Sequence, residues 1–510
     1  MAYMLAVDSG LTMCKAVVFS LDGEEVGSGS SRPPTLYPRA GWAERDPEAL
    51  WSHVVRAIRE AVTRAGLEAE EIGCVTLTGH GNGLYCLDGD FLPTRSGILS
   101  VDTRASATVE RLREEETPAR VHAVTGNQVW AGSPPVLLRW IKDNETEVYR
   151  RTRHICLVKD YIRYRLTGEL NTDHTDATGG ALADTSKGAY AKEIYEAYGI
   201  PEAWGMLPPI LDSWAVGGRV TRESSAETGL APGTPVAVGG MDLDMTALGC
   251  GCIRPGQMSI IVGTWSINSL IMDRPALVPD ILFTSTYSVP GLWLLMDGSA
   301  TSATNLDWFV EQLCFWEKKE GETRGVSPFQ IVDEEVREMT PSSCEIIFHP
   351  FIYGSNVQPS ARAGFYGLGG WHRREDMLRA VLEGVCFSHL SHVERLRFVR
   401  QEDEAFIAGG GKRSDVWTQI FADVLGTPIR VPRADELGAL GCAITGAVAS
   451  GCYPDHETAV RNMCSVAKTV EPDGEANLIY RKKYDLYEVL IGSMMQAWNR
   501  MHETIREIKK

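Results

Sequence analysis

The stretch Val236-Ala237-Val238-Gly239-Gly240-Met241-Asp242-Leu243-Asp244, near the middle of the chain, constrains the architecture most. Its short apolar run reads as a buried strand. Two glycines then let the backbone turn sharply, and Met245-Thr246-Ala247-Leu248-Gly249 follows as a short helix. The result is a strand that delivers two carboxylates to a helix N-terminus, where the helix dipole favours negative charge. Asp242 either only caps the helix or serves a site, and the stretch alone does not separate the two. Asp244 either contacts a ligand or metal, or caps the same helix.

The N-terminus supplies a second constraint. Tyr3–Val7 is an apolar strand, Asp8-Ser9-Gly10-Leu11-Thr12 a hairpin tip followed by Lys15, and Ala16–Phe19 the return strand. Such a tip carries an acid, two hydroxyls and free backbone donors, so it can cradle phosphates and its Asp can hold Mg²⁺ through water. An ordinary hairpin turn is the alternative. The pattern restarts after Gly251. Met258–Val262 is a strand, Gly263-Thr264-Trp265-Ser266 a tip, and Ile267–Leu270 a strand. Two such hairpins suggest a duplicated fold whose halves face each other across a cleft.

Length supports two halves, since 510 residues exceed one ordinary core. A net charge of -17 argues against a nucleic-acid partner, because no broad basic field is available to neutralise phosphates. Small anions can still be held by backbone N–H groups. The 12 cysteines show no paired C-x-x-C motif and read as reduced thiols of a cytoplasmic protein. Met1–Ser9 lacks the features of a secretion signal, and no apolar run is long enough to span a membrane.

Further along, Asp46 with Pro47 caps a helix over Glu48 to about Ala65, and Ile72–Thr78 is a strand. That strand ends in Gly79-His80-Gly81-Asn82-Gly83, placed where α/β proteins keep ligands. His80 either binds a ligand or packs in its loop. Ile98–Arg104 is expected to open a helix reaching about Glu116. Lys159–Gly168 reads as an amphipathic helix and Thr172–Asp176 as a polar loop. Asp297–Ala303 is a small-residue turn before a helix. Arg374–Arg397 is a long helix. The strand Ala405–Ala408 runs into Gly409-Gly410-Gly411-Lys412-Arg413-Ser414 and the helix Asp415–Leu425, which suits a nucleotide lying on bare backbone.

Seven segments, which follow one another along the chain in the family's order, resemble the FGGY family of carbohydrate kinases over residues 1 to 450. They are Asp8–Thr12 with Lys15; Gly41-Trp42-Ala43-Glu44-Arg45-Asp46-Pro47 with Trp51; Arg165-Leu166-Thr167-Gly168-Glu169 with Thr172-Asp173; Gly239–Asp242; Gly263-Thr264; Gly409–Gly411 with Ser414, Trp417, Gln419, Ala422 and Asp423; and the run from Ala363 through Phe365, Gly367-Leu368 and Asp376-Met377 to Glu383. The last fits the family's C-terminal signature at every position.

The resemblance implies an α/β fold of two actin-like (ribonuclease H-like) domains with an interdomain active-site cleft. The expected boundaries are 1–248 for sugar binding and the catalytic base, 249–450 for nucleotide binding, and 451–510 for a helical tail on the second domain. It implies transfer of the ATP γ-phosphate to a hydroxyl of a small ketose or polyol of xylulose or erythritol type. Glycerol, a sugar acid and a non-catalytic binding protein are the alternatives. Asp242 falls on the general base, and Asp8 with Asp242 on the Mg²⁺-associated acids. His80, Gly81, Asn82 and Asp102 join Asp242 as acceptor-binding residues. Ser9, Gly10, Leu11, Thr12, Lys15, Gly263, Thr264, Ala303, Gly410, Gly411 and Ser414 are the expected ATP contacts. Lys15 is alternatively a solvated strand lysine. A homodimer is compatible with this reading.

Departures fall at the acceptor end. His80-Gly81-Asn82 stands where many pentulose kinases carry Gln-Met-His, Ser100 replaces a common Trp, Leu137 a Lys, and Gly354-Ser355-Asn356 a Gly-Glu-Arg. An acceptor other than ordinary D-xylulose follows.

Overall fold

The computed structural model describes residues 2–355 and 359–508, so Asn356 lies outside the described residues. Its contacts divide the chain into two units. One comprises Met1–Pro255, Ile271–Leu295 and Glu436–Ser465; the other comprises Gly256–Leu270, Met296–Asp435 and Val466–Lys510. The units are therefore not contiguous in sequence, and their limits do not coincide with the sequence boundaries near 248 and 450.

In the first unit, β1 (Tyr3–Ser9), β2 (Cys14–Phe19) and β3 (Glu25–Ser31) form an antiparallel meander. The hairpin register sets Asp8 opposite Lys15. Helix α1 (Pro47–Ala65) starts as its sequence dictates. Asp46 accepts the Ala49 N–H at 2.8 Å, Pro47 takes the first turn, and Gly66 ends the helix with a left-handed φ of 66°. Its apolar face, including Leu50, Trp51, Val54 and Ile58, packs into the core with Leu5, Val7, Val75 and Leu77 of the sheet.

β4 (Ile72–Gly79) runs parallel to β1. α2 (Val158–Thr167) closes on Gly168 as expected. The polar loop expected at Thr172–Asp176 is not one. Thr172-Asp173 is a short strand, and Asp173 caps α3 (His174–Gly179), its carboxylate accepting the Thr175 N–H at 2.7 Å. These polar residues are buried because they serve an ion-pair cluster described below. The helix expected from Ile98 begins only at Ser106. Gly97-Ile98 pairs instead with Glu44-Arg45, and the Asp102 carboxylate is drawn to Arg104 rather than to a helix start. β5 (Val216–Arg219), β6 (Pro235–Met241) and α4 (Asp242–Gly249) complete this run, and the sheet order is β5-β6-β4-β1-β2-β3.

In the second unit, β7 (Gln257–Val262) pairs antiparallel with the first residues of β8 (Ser266–Met272), Val262 opposite Ser266. α5 (Arg374–Val399) is buried over most of its length. β9 (Glu404–Ala408) is parallel to β7, and α6 (Asp415–Leu425) and β10 (Ile429–Pro432) follow. The chain then returns to the first unit with α7 (Leu437–Ala449), which lies so close to α4 that a Cβ at Gly441 would sit 1.9 Å from the Met245 carbonyl oxygen. β11 (Val466–Val470) and α8 (Gly474–Ile508) belong to the second unit, with β11 antiparallel to β10. No helix among the described residues is long and apolar enough to cross a membrane.

Candidate active site

In the first unit three strands end in one row. Ser9 of β1 lies opposite Gly79 of β4, and Gly79 lies opposite Met241 of β6. The residues at or beside these ends are Asp8, His80 and Asp242. The sheet thus gathers the expected acid, the expected acceptor loop and the expected base at its carboxyl edge, the usual place for ligands in open α/β sheets.

The backbone that presents Asp242 is fixed from several sides. Gly239 has φ 74° and its N–H donates to the Ser213 carbonyl at 2.9 Å. A Cβ there would sit 1.8 Å from the Leu77 carbonyl oxygen, so only glycine fits. The Arg163 guanidinium donates to the Val238 carbonyl at 2.7 Å, the Thr78 hydroxyl to the Gly240 carbonyl at 2.7 Å, and the Met241 N–H to the Thr175 hydroxyl at 2.8 Å. Asp242 is then the first residue of α4 and half-buried. One oxygen accepts the Leu243 N–H at 2.8 Å. Burial and then the neighbouring Asp8 push its carboxyl up to about 7.

Asp8 keeps one buried oxygen without a hydrogen-bond donor among the described residues. Burial raises its carboxyl to about 6, against the lowering effect of Lys15. Lys15 does not project freely. Its ammonium is held by both oxygens of Glu436 at 2.9 Å. The hairpin tip is braced from beneath by Arg45, which donates to the Gly10 carbonyl at 3.2 Å and the Leu11 carbonyl at 2.5 Å. Neither Glu436 nor Arg45 was singled out as a site residue by sequence reasoning; the only signal was Arg45's place in the Gly41–Pro47 segment.

His80 is buried, its backbone N–H donating to the Ser9 carbonyl at 3.0 Å, yet neither ring nitrogen has a hydrogen-bond partner among the described residues. Burial, then the charge of Arg45, lowers its imidazole to about 3, so the ring is neutral, with one donor and one acceptor unused. Asn82 has φ 63° and a buried side-chain oxygen that is also unused. Gly81 lies against Met241, where a Cβ would come within 2.9 Å of its sulfur. Asp102 is different. Its oxygens accept from the Ala43 N–H at 2.6 Å, the Arg104 N–H at 2.8 Å and the Arg104 side chain at 2.8 and 2.9 Å. It organises Arg104, which stacks over Trp42 at 3.9 Å.

Of the two roles the sequence left open for Asp244, capping α4 is not the one it takes among the described residues. Both of its oxygens are buried and find no donor among the described residues, and its carboxyl is pushed well above the usual range by burial and by Asp173 and Asp176. Those neighbours belong to a buried cluster in which Lys159 contacts Asp160 at 2.8 Å, Asp173 at 2.8 Å and Asp176 at 2.9 Å.

The second unit assembles its expected residues likewise. Gly263-Thr264 forms the tip between β7 and β8, and the Ala303 N–H donates to the Gly263 carbonyl at 2.9 Å. Gly409 has φ 82°, and a Cβ on Gly411 would come within 2.6 Å of Val262. Gly410 is open on its outer side. Gly263, Thr264, Ala303, Gly410 and Gly411 thus converge beyond the ends of β7 and β9. Ser414 caps α6, accepting the Trp417 N–H at 2.9 Å and donating to Asp333 at 2.7 Å.

Known proteins resemble this chain along nearly its whole length. Family models for the FGGY family of carbohydrate kinases match residues 3–249 as the N-terminal domain and 258–450 as the C-terminal domain. The chain belongs to the FGGY family of carbohydrate kinases. It is 33% identical to the L-xylulose/3-keto-L-gulonate kinase of Escherichia coli K12, over 98% of this chain and 99% of that one. It is 31% identical to a probable L-xylulose kinase of Pasteurella multocida, over 96% and 98% of the two chains. The xylulose kinase of Rhodospirillum rubrum superposes with a TM-score of 0.88 at 27% identity, over 98% of this chain and all of that one. The FGGY protein described here is accordingly a phosphotransferase with an alcohol acceptor, built on the actin-like ATPase fold, and FGGY kinases use ATP.

Proposed function

We propose that this kinase transfers the γ-phosphate of ATP to a hydroxyl of a small ketose of xylulose type, with Asp242 as general base. The observation that carries the reading is Asp242 itself: a half-buried carboxylate on a backbone fixed by Gly239, Arg163, Thr78 and Thr175. As the acceptor oxygen bonds to phosphorus its proton must leave, and a fixed carboxylate within hydrogen-bond reach takes it. His80 and Asn82 have unused polar atoms that suit acceptor hydroxyls. A buried polar group that only a substrate can satisfy discriminates strongly against compounds lacking the matching hydroxyl.

The hairpin at Ser9–Thr12 and the tips at Gly263-Thr264, Ala303 and Gly410-Gly411 supply backbone room for phosphates and nucleotide. Lys15 joins them once its pairing with Glu436 loosens. Asp8 and Asp242 suit Mg²⁺, because one or two carboxylates completed by substrate phosphates and water are its usual protein share. No larger cluster of metal-ligating side chains occurs among the described residues. Bound Mg²⁺ would neutralise charge developing on the transferred phosphoryl group. We place the enzyme in the cytoplasm, with polyols such as erythritol as weaker acceptors.

A second reading, a sugar-acid acceptor, is favoured by one Arg104 nitrogen that is buried and has no hydrogen-bond partner among the described residues. Coupled ADP release against L-xylulose, D-xylulose, erythritol, glycerol and 3-keto-L-gulonate tests both. A ketose is expected to give the highest kcat/KM. Preference for the acid would favour the second reading, and no turnover with any acceptor would refute both.

A further inference from the structure

The turn Asp297-Gly298-Ser299-Ala300-Thr301-Ser302-Ala303 is small in every side chain after Asp297, so little of its own bulk holds it in place. It nevertheless presents Ala303 to Gly263. Asn305 donates to the Thr301 hydroxyl at 2.5 Å and the Ser302 carbonyl at 3.0 Å, and two further holds come from α5, which places His389 and His392 three residues apart and hence on one face. His389 is fully buried. One ring nitrogen, Nδ1, lies 2.9 Å from the Asn268 side-chain oxygen; the other, Nε2, lies 2.9 Å from the Ser302 hydroxyl. Asn268 is on β8, two residues beyond the Gly263–Ser266 tip, and its amide nitrogen reaches the Ser266 hydroxyl at 3.5 Å and the Asp297 carbonyl at 3.3 Å. Because the Asn268 oxygen can only accept, Nδ1 carries the imidazole proton and Nε2 accepts from Ser302. His392 holds the start of the same turn, its Nε2 3.1 Å from the Ser299 hydroxyl and its Nδ1 2.8 Å from Asp297. The Thr301 hydroxyl donates to the Pro350 carbonyl at 2.7 Å.

The bridge therefore joins two backbone segments far apart in sequence through one neutral imidazole in a single tautomer. Breaking it strands a buried amide oxygen and a buried hydroxyl, each of which would have to find another partner by moving its segment. Gly263 and Ala303 are bonded to each other directly, so a shift in either segment is felt in both.

We propose that His389 is a positioning residue for nucleotide binding, locking the Gly263-Thr264 tip and the 299–303 turn into one rigid phosphate-facing surface. This inference rests on the reading of those two segments as ATP contacts.

The test is His389→Leu, which fills the space but makes neither bond. KM for ATP is expected to rise about tenfold or more, with KM for L-xylulose within about twofold. Amide hydrogen exchange of the nucleotide-free protein is expected to speed up in residues 262–266 and 298–304 and not in α6. Adding Ser302→Ala to His389→Leu should weaken ATP binding no further, since both changes break the same bridge. Equal rises in both KM values, unchanged exchange in the two segments, or full additivity of the two substitutions would overturn the proposal. If His389→Leu does not fold, Ser302→Ala alone carries the same expectations for exchange and for ATP. An unaltered ATP KM combined with accelerated exchange would show that the clamp exists but the segments do not bind nucleotide, which refutes the reading beneath the inference rather than the clamp.

Discussion

Replacing Lys159 with Met removes the one ammonium from a cluster that is almost entirely sealed from water. Its side chain is 1% exposed, and three carboxylates approach it within 2.9 Å. Arg163, paired with Asp160 at 2.9 Å, is the other cation of the cluster. The native set has two cations against three carboxylates, and Lys159→Met leaves one against three. Methionine has nearly the same length and shape, so the cavity contribution is small. What remains is the cost of buried carboxylates without a partner, about 3–5 kcal/mol.

The sign of the pH effect follows from Asp176, whose carboxyl burial pushes up to about 7. Losing the Lys159 charge raises the carboxyls of the cluster further, and a carboxyl raised in the folded state costs stability progressively as pH climbs from its unfolded value near 4 to the folded one. The deficit of Lys159→Met should therefore be larger at pH 7 than at pH 5. Urea unfolding of both proteins at the two pH values, followed by tryptophan fluorescence, measures it. A deficit under about 1 kcal/mol at pH 7, or one independent of pH, would refute the account of this cluster.

His80→Phe should raise the ketose KM and lower kcat/KM for the ketose about 10- to 100-fold, with the ATP KM within about twofold, because only acceptor hydrogen bonds are lost. Steady-state kinetics with each substrate varied in turn checks it, and an equal effect on both substrates would contradict it. Gly239→Ala should cost about 3 kcal/mol or more, since the added methyl meets the Leu77 carbonyl and the backbone is left-handed there; soluble yield and urea midpoint report it. His349 is buried among Phe351, Tyr366, Tyr487 and Trp498, and burial lowers its imidazole to about 4. The unfolded chain takes up the proton first, so stability is lost as pH falls from about 6.5 toward 4, amounting to about 2 kcal/mol between pH 7 and pH 5. His349→Phe should flatten that slope by this amount in unfolding measurements, and an unchanged slope would count against it.

The elements that carry the site were legible because each obeys a local rule. Asp46-Pro47 started α1 and Gly66 stopped it, alternating strands met at the Asp8–Lys15 hairpin, and glycines marked the ends of β4, β6 and β9. Legibility failed where a distant partner decides. Thr172–Asp176 looks like a loop until Lys159 is brought beneath it, and Asp102 looks like a helix start until Arg104 and the Ala43 N–H claim its oxygens. Lys15 finds Glu436 and His389 finds Asn268, pairings separated by hundreds or over a hundred residues that no periodicity encodes. Asp244 shows the same limit. The sequence left it either a cap or a ligand contact, but the turn of α4 points it into the acidic interior.

The most direct test of the central claim is the Asp242→Asn variant, which keeps size and shape and removes the basic oxygen. Phosphoryl transfer to L-xylulose would be followed under single-turnover conditions, alongside ATP binding by calorimetry. The account predicts a rate reduced about 10²- to 10⁴-fold with ATP affinity within about threefold of the unaltered enzyme. A variant that transfers phosphate within about tenfold of the native rate would show that the proton goes elsewhere and that Asp242 is not the base.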